Sequence, residues 1–517
     1  MMSVSNWLTK QWKPWQKPGN DYMAGHLGID LGTTFSLAAF LNDRNVPELI
    51  PDARYHEEFI TPSVIHVEGN HVLVGHTAER VLHARPNLPV TRHAKLAMGT
   101  DDVLFEDRKG QSWLPQSISS AILKKLRHDA TVRLGHEPDS ATIAVPANFT
   151  SRQRLATRIA GLQAGFETVD LIDEPVAAAA AYGLQNPGSD QTIFVFDLGG
   201  GTFDATVIHN AADGIHVLST AGSKQIGGKF FDEAIAQDLE THYQEVTGRQ
   251  QLSPATKETF RKFAIEAKCN LSMAKQYRLH KDLLLDQEVH SMLYTYHHLS
   301  RVLYPLLQKT IDLSEQCIKE AGLEWGQIDK VLLTGGSSQL PAVSEKLMQA
   351  SGLSLESFSI FQPSDAIAFG AALVGNSDKN DSYQLKQQVS QYELGMLTTN
   401  PSTGSTEIEI IIPRNCSLPY KCTRKFFYPS KTVTFIDIVL IQRKDDLDES
   451  EQIMTFRINR DVQLEMDSIE ININSRMDGL IELSDCSNNQ IGVINITDLE
   501  NSTVTNKYKL KIIEQII

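Results

Sequence analysis

One short pattern occurs twice in this chain: an apolar run, then Asp, then Gly, then Thr. The first copy is Gly28-Ile29-Asp30-Leu31-Gly32-Thr33-Thr34. The second is Phe196-Asp197-Leu198-Gly199-Gly200-Gly201-Thr202-Phe203-Asp204. A strand delivers the Asp to its end. Glycines then let backbone N–H groups approach an anion with no Cβ in the way, and the threonine hydroxyls add donors. The carboxylate can hold Mg²⁺ through water. A single copy reads as an ordinary hairpin. Two copies, each followed by further apolar alternation, point to two related half-domains clamping one nucleotide, against the alternative of two unrelated turns.

The chain has 517 residues, enough for about three domains by length. Apolar and charged fractions of 41% and 21% are those of a globular protein. A net charge of −15 argues against a nucleic-acid partner, which needs a basic face. The cysteines, Cys269, Cys317, Cys416, Cys422 and Cys486, include no C-x-x-C pair, which argues against a disulfide framework or zinc ribbon and fits a reducing, cytoplasmic compartment. No apolar run reaches membrane-spanning length, and the N-terminus lacks a secretory h-region. His297-His298 and the group His66, His71 and His76 have no metal-ligating spacing and read as solvated positions.

Residues 1–25 form an N-terminal extension with Trp7, Trp12 and Trp15 among lysines and prolines. It reads either as residues ahead of a translation start at Met23, or as an aromatic-basic arm for a membrane surface or partner. From 26 to 376 strand and helix signals alternate. Ala141–Pro146 is a buried strand ending at proline, and Ser151–Ala164 a helix with Arg and Gln on its outer face. Pro175–Tyr182 is an alanine-rich, close-packed helix. Ile193–Phe196 and Val331–Thr334 are strands running into glycine turns. This implies α/β sheets with ligands at their carboxyl edges. Residues 377–391 are polar and read as a linker. From 392 to 517 the period becomes two, at Glu407–Ile410, Thr432–Leu440 and Ile469–Asn474, with a hairpin turn at Met477-Asp478-Gly479. That is an all-β module, and no long helical segment follows it.

These motifs resemble the 70-kDa heat-shock chaperone family (DnaK-like) from about Gly25 to the end. The resemblance rests on the two turns, Ala94-Lys95 before Met98-Gly99, Val145-Pro146-Ala147 with Gln153-Arg154, and Asp173-Glu174-Pro175-Val176-Ala177-Ala178. It rests further on Ile226-Gly227-Gly228, Gly335-Gly336-Ser337, Ile412-Pro413-Arg414-Asn415 and Asp478-Gly479-Leu480. Ala267-Lys268-Cys269 and Gly336-Ser337-Ser338-Gln339 are most similar to its HscC-type branch. The resemblance implies a two-lobed, actin-like (hexokinase-type) ATPase domain followed by a β-sandwich that binds extended peptide, here without the helical lid. It implies ATP and Mg²⁺ as cofactors, with Asp30 and Asp197 on the metal side. It places Gly32, Thr33, Thr34, Phe35, Lys95, Gly199, Gly200, Gly201, Thr202, Gly227, Gly228, Lys268, Ser272, Gly335, Gly336, Ser337 and Gln339 at nucleotide-binding positions, with Thr33, Thr34, Thr202 and nearby backbone amides on the β- and γ-phosphates. Lys95 matches the catalytic lysine, with Glu174 and Asp204 ordering the metal shell and the attacking water and Thr202 the further catalytic position, on the phosphates. Pro146 and Arg154 match the switch that relays nucleotide state to the peptide module.

Several positions depart from the family. Gln339 and Cys269 stand where arginines sandwich adenine, which weakens stacking on the base. Ile265 replaces a ribose-binding glutamate, with Glu266 one step along. The aliphatic linker is replaced by Tyr383–Ser390, whose polar Gln387-Gln388 is expected not to bury an aliphatic edge. Asp170, Asp173 and Val176 stand where an Arg, an Asn and a Thr face a J-domain co-chaperone. The leading expectation is an ATP-hydrolysing chaperone for unfolded peptide segments, with a dedicated J-domain partner. The alternative is a nucleotide-binding regulator or scaffold with one fixed partner and little hydrolysis.

Overall fold

The computed structural model describes residues 25–68, 71–84, 91–107, 110–185, 190–272, 278–285, 288–360, 363–377, 384–399, 405–427, 435–443, 451–459, 468–485 and 490–493. The tryptophan-rich arm and Cys486 lie outside them. The described chain forms two compact units. One draws on the described residues within 1–188, 211–218 and 364–517, the other on those within 189–210 and 219–363.

In the first unit, β1 (His26–Leu31), β2 (Phe35–Leu41), β3 (Pro47–Leu49), β4 (Thr61–Pro62), β5 (Ser140–Val145) and β6 (Thr168–Asp173) form one sheet in the order β6-β5-β1-β2-β3, with β4 against β2. β1 runs parallel to β5 and antiparallel to β2, and β5 runs parallel to β6. Leu27–Leu31 and Ala141–Val145 are buried throughout, as central strands covered on both faces must be. Helix α1 (Ser151–Gln163) starts at a capping box in which the Thr150 hydroxyl and the Gln153 side chain satisfy each other's backbone N–H. It was expected to carry its arginines outward. Arg154 instead turns inward and is 7% exposed, donating from Nε to the Phe149 carbonyl and from Nη2 to that of Ala147. Helix α2 (Glu174–Gln185) follows β6 directly.

The second unit repeats the plan. Strands β7 (Gln191–Leu198) and β8 (Phe203–Ala211) form a hairpin, and β9 (Gly214–Ser223) passes from one unit to the other. Helices α3 (Gly228–Thr247) and α4 (Pro254–Ser272), the hairpin β10 (Arg278–Leu285) and β11 (Glu288–Thr295), then β12 (Lys330–Thr334) and β13 (Phe358–Ile360) follow in the same unit. The order β13-β12-β7-β8, with β7 parallel to β12 and antiparallel to β8, and β12 parallel to β13, matches β6-β5-β1-β2 strand for strand.

The chain returns to the first unit with α5 (Pro363–Gly375). Its small residues let it pack close. A Cβ on Gly370 would lie 1.8 Å from the Ala177 carbonyl of α2, and one on Gly28 would lie 2.1 Å from the Ala372 nitrogen. The segment expected as a polar linker contains a strand, β14 (Leu385–Val389), parallel to β9 through Ile215 and His216. Gln388 and Val389 are 4% and 5% exposed. Burial here does not need an aliphatic residue, because Gln388 Nε2 donates to Asp173 Oδ2 at 3.0 Å and its Oε1 accepts from the Val389 N–H.

Beyond β14 the described chain is all strand. After β15 (Glu393–Thr399), β16 (Thr406–Ile412) and β17 (Ser417–Leu418) come β18 (Tyr420–Phe427), β19 (Phe435–Arg443), β20 (Glu451–Asn459), β21 (Ser468–Ser475), β22 (Ile481–Asp485) and β23 (Gln490–Val493). β17 pairs with β14. The others form two antiparallel four-stranded sheets, β16-β15-β19-β20 and β18-β21-β22-β23. Leu394, Met396, Ile438 and Leu440 of one share a core with Ile471, Ile473, Ile481 and Leu483 of the other. Gly479 takes φ +74° in the expected turn between β21 and β22.

Candidate functional site

In the first unit β1 carries Asp30 to its buried end, and the chain turns through Gly32, Thr33, Thr34 and Phe35 into β2. Only glycine fits at 32, where a Cβ would lie 2.1 Å from the Phe35 carbonyl oxygen. Thr33 is half-buried, and Thr34 and Phe35 are exposed. His93, in a left-handed conformation at φ 61°, starts the short 3₁₀ turn Ala94–Ala97 that carries Lys95. Lys95 is 9% exposed, and its Nζ meets Glu174 Oε1 at 2.5 Å, at the point where β6 passes into α2. Burial, then the Glu174 charge, pushes Asp30 up to about 7, against the pull of Lys95. Asp30, Lys95 and Glu174, predicted separately, thus form one buried cluster at the head of the first turn.

In the second unit Asp197 and Asp204 are directly opposed across β7 and β8, 6% and 1% exposed. The turn between them, Leu198 to Phe203, is packed by glycines. A Cβ on Gly227 would lie 2.7 Å from the carbonyl carbon of Gly201, and one on Gly335, at φ +80°, 2.6 Å from Asp197 Oδ1. Ser337 donates to the Gly199 carbonyl at 3.1 Å. Lys268 donates to the Gly228 carbonyl at 3.1 Å and pairs with Asp232 at 2.8 Å. Burial raises the Asp232 carboxyl, opposed by Lys268. Gly199, Gly200, Gly201, Thr202, Gly227, Gly228, Lys268, Gly335 and Ser337 are therefore brought around one turn. Gly336 and Gln339 lie exposed at its rim, and Cys269 is exposed on α4. The Ser272 side chain lies outside the described residues.

Asp30 stands opposite Leu37 and Asp197 opposite Asp204, so Gly32 corresponds to Gly199 and Phe35 to Thr202. The threonines of the two turns do not occupy matching places. Among the positions expected to face a J-domain, Asp170 is exposed, but Asp173 and Val176 are 7% and 0% exposed. Alternation along β6 turns Asp170 outward, while Asp173 sits 2.6 Å from Arg154 Nη1. Sequence reading missed Asp232, four residues past Gly228 at helical spacing, and Ser63 in Thr61-Pro62-Ser63, whose role only folding shows.

A carboxylate at a strand end, a glycine turn that excludes Cβ atoms and a buried lysine are the parts of an α/β protein that handles nucleotide phosphates. A sequence model of the family described as Hsp70 protein matches residues 26–515. The chain is 32% identical over 429 residues to the chaperone protein DnaK of Thermotoga neapolitana, covering 80% of this chain and 70% of that protein. The chain belongs to the Hsp70 family. It is an ATP-dependent chaperone-family protein and an ATPase. Among the described residues, no helix is long and apolar enough to cross a membrane.

Proposed function

We propose that this protein hydrolyses ATP slowly at residues of its two glycine turns and couples hydrolysis to the binding of extended, unfolded peptide segments. Residues 26–376 are read as the actin-like nucleotide domain, 377–391 as the connecting segment and 392–517 as the β-sandwich for peptide. The observation that carries the reading is the buried cluster of Asp30, Lys95 and Glu174 at the head of the Gly32 turn. The donor set fits Mg²⁺ and phosphate: the carboxylate near the end of each strand is of the type that holds a hydrated cation through water, and glycine backbones leave room for phosphate oxygens. Bound Mg²⁺ offsets the charge of the phosphates. Lys95 places a positive charge where the γ-phosphoryl group departs, and Glu174 holds that ammonium in place meanwhile. Glu174 and Asp204 orient the attacking water, while Thr202 and the turn amides hold the phosphate oxygens. Gly228, Lys268, Ser337 and Gln339 contact the nucleoside, with Asp232 fixing the Lys268 ammonium. Peptide is bound by main-chain hydrogen bonding and apolar pockets. A J-domain co-chaperone and a cytoplasmic setting complete the reading.

A single-turnover ATPase measurement with and without Mg²⁺, repeated with an unfolded peptide, tests it. Expected are Mg²⁺-dependent hydrolysis and a change in rate on adding peptide. Nucleotide binding without hydrolysis overturns the reading in favour of a binding regulator.

A further inference from the structure

The turn after β1 is held from behind by a chain of buried hydroxyls. Ser63 Oγ donates to the Gly32 carbonyl at 2.9 Å, and its own N–H donates to the Thr34 carbonyl at 2.8 Å. With that hydroxyl proton committed to Gly32, the 2.9 Å contact between Ser36 Oγ and Ser63 Oγ runs from Ser36 to Ser63. Ser36 and Ser63 are 0% and 6% exposed. Ser63 is delivered by β4, whose Thr61 and Pro62 pair with Ser36 and Phe35 of β2. The strap and the turn therefore form one hydrogen-bonded unit.

A trans peptide is planar, so the C=O of one residue and the N–H of the next point in opposite directions. Holding the Gly32 carbonyl toward the interior aims the Thr33 N–H outward. The second unit reaches the same result with different parts. The Gly199 carbonyl accepts from the Ser337 hydroxyl at 3.1 Å and from the Gly228 N–H at 2.9 Å, which aims the Gly200 N–H the opposite way. Gly32 and Gly199 are the register-matched glycines. A serine hydroxyl on the same carbonyl in both turns marks that peptide plane as the one whose orientation the fold controls.

We propose that Ser63, backed by Ser36, is a positioning residue for phosphate recognition. It fixes the Gly32–Thr33 peptide so that the Thr33 N–H is presented to a phosphate oxygen before the nucleotide arrives. The inference rests on the nucleotide reading above. It places Ser63 outside contact with the ligand.

The test is calorimetric binding of ADP and of adenosine to the full chain, with amide hydrogen exchange of the nucleotide-free protein. Ser63→Ala is expected to weaken ADP about tenfold, the effect of one lost buried hydrogen bond, and to leave adenosine unchanged. It is also expected to speed exchange at Thr33 and Thr34. Ser63→Thr keeps the hydroxyl and should restore ADP affinity. Ser63→Cys, a weaker donor of similar size, should fall between and serves if the alanine variant does not fold. Ser36→Ala should lose less than Ser63→Ala. Equal losses for ADP and adenosine, or ADP affinity unchanged in Ser63→Ala and Ser63→Cys, overturn the positioning role alone. A wild-type protein that binds adenosine and ADP equally overturns the phosphate reading of the turn as well.

Discussion

Lys95 and Asp30 show how much of the chemistry is set by single side chains. The Lys95 ammonium is buried against Glu174, so its charge is already oriented before any substrate binds. Lys95→Ala is expected to lower the single-turnover rate by about 10²-fold or more while ADP affinity changes only severalfold, since the charge matters most as the leaving group develops. A variant that still turned over at the wild-type rate would remove Lys95 from catalysis. Asp30 gives a stability test in the nucleotide-free protein. Its folded value, about 7, lies above the ordinary 3.8, so between these the folded state holds more protons than the unfolded state. Stability from this group is therefore highest in acid and falls as pH rises through that window. Asp30→Asn removes the cost of ionising a buried carboxyl. Its Tm should exceed that of wild type by a margin that widens from pH 5 to pH 8. A constant margin would mean that Asp30 titrates normally.

At the scale of elements, β14 and the Gly336–Gln339 turn are the informative pieces. β14 is buried by an amide rather than by aliphatic side chains, with Gln388 held on Asp173 and Asp173 on Arg154. Gln388→Glu would set a second carboxylate beside a buried one, a like-charge contact at close range. Expected is faster amide exchange across Leu385–Val389 and faster tryptic cleavage after Lys386, both read at equal global stability. Unchanged protection would show that the strand is held by its β9 and β17 pairings alone. The Gly336–Gln339 turn presents Gln339 at an exposed rim. Gln339→Arg adds a planar cation worth about 0.5–1 kcal/mol over an aromatic base, so stopped-flow release of a fluorescent adenine nucleotide should slow about threefold. An unaltered release rate would place residue 339 out of reach of the base.

For the molecule as a whole, the first unit is discontinuous in sequence. Gly28 of β1 packs on Ala368 and Ala372 of α5, and the β strands beyond residue 392 belong to the same unit. The packing of α5 on β1 therefore joins segments far apart in sequence, at a loop-closure cost that slows folding more than it weakens the native state. Regulation by partners also belongs to this scale. Asp170 is the exposed member of the trio expected to meet a J-domain, and it is acidic. An ordinary J-domain is expected to change the steady-state ATPase rate by less than about twofold, since a like-charge contact costs both encounter and register. Asp170→Arg is expected to raise that stimulation. Several-fold stimulation of the wild-type protein would show that the acidic residue is tolerated.

Sequence alone was enough for the strands that carry Asp30 and Asp197, the alanine-rich α2 and the switch to period-two alternation beyond residue 392. Each is a local pattern: apolar runs, glycine turns and motif spacing express which backbone conformations and faces are available to a short stretch. Three features needed the tertiary structure. Arg154 looked like a surface helix residue and is buried because Asp173, which pairs with it, lies on a different strand. Gln388 looked too polar to bury and is buried because that same Asp173 accepts its amide. Ser63 had no readable role until β4 brought it under the Gly32 carbonyl. The physical reason is common to all three: the free energy of a polar group depends on its partner, and here each partner is supplied by a different element of the fold.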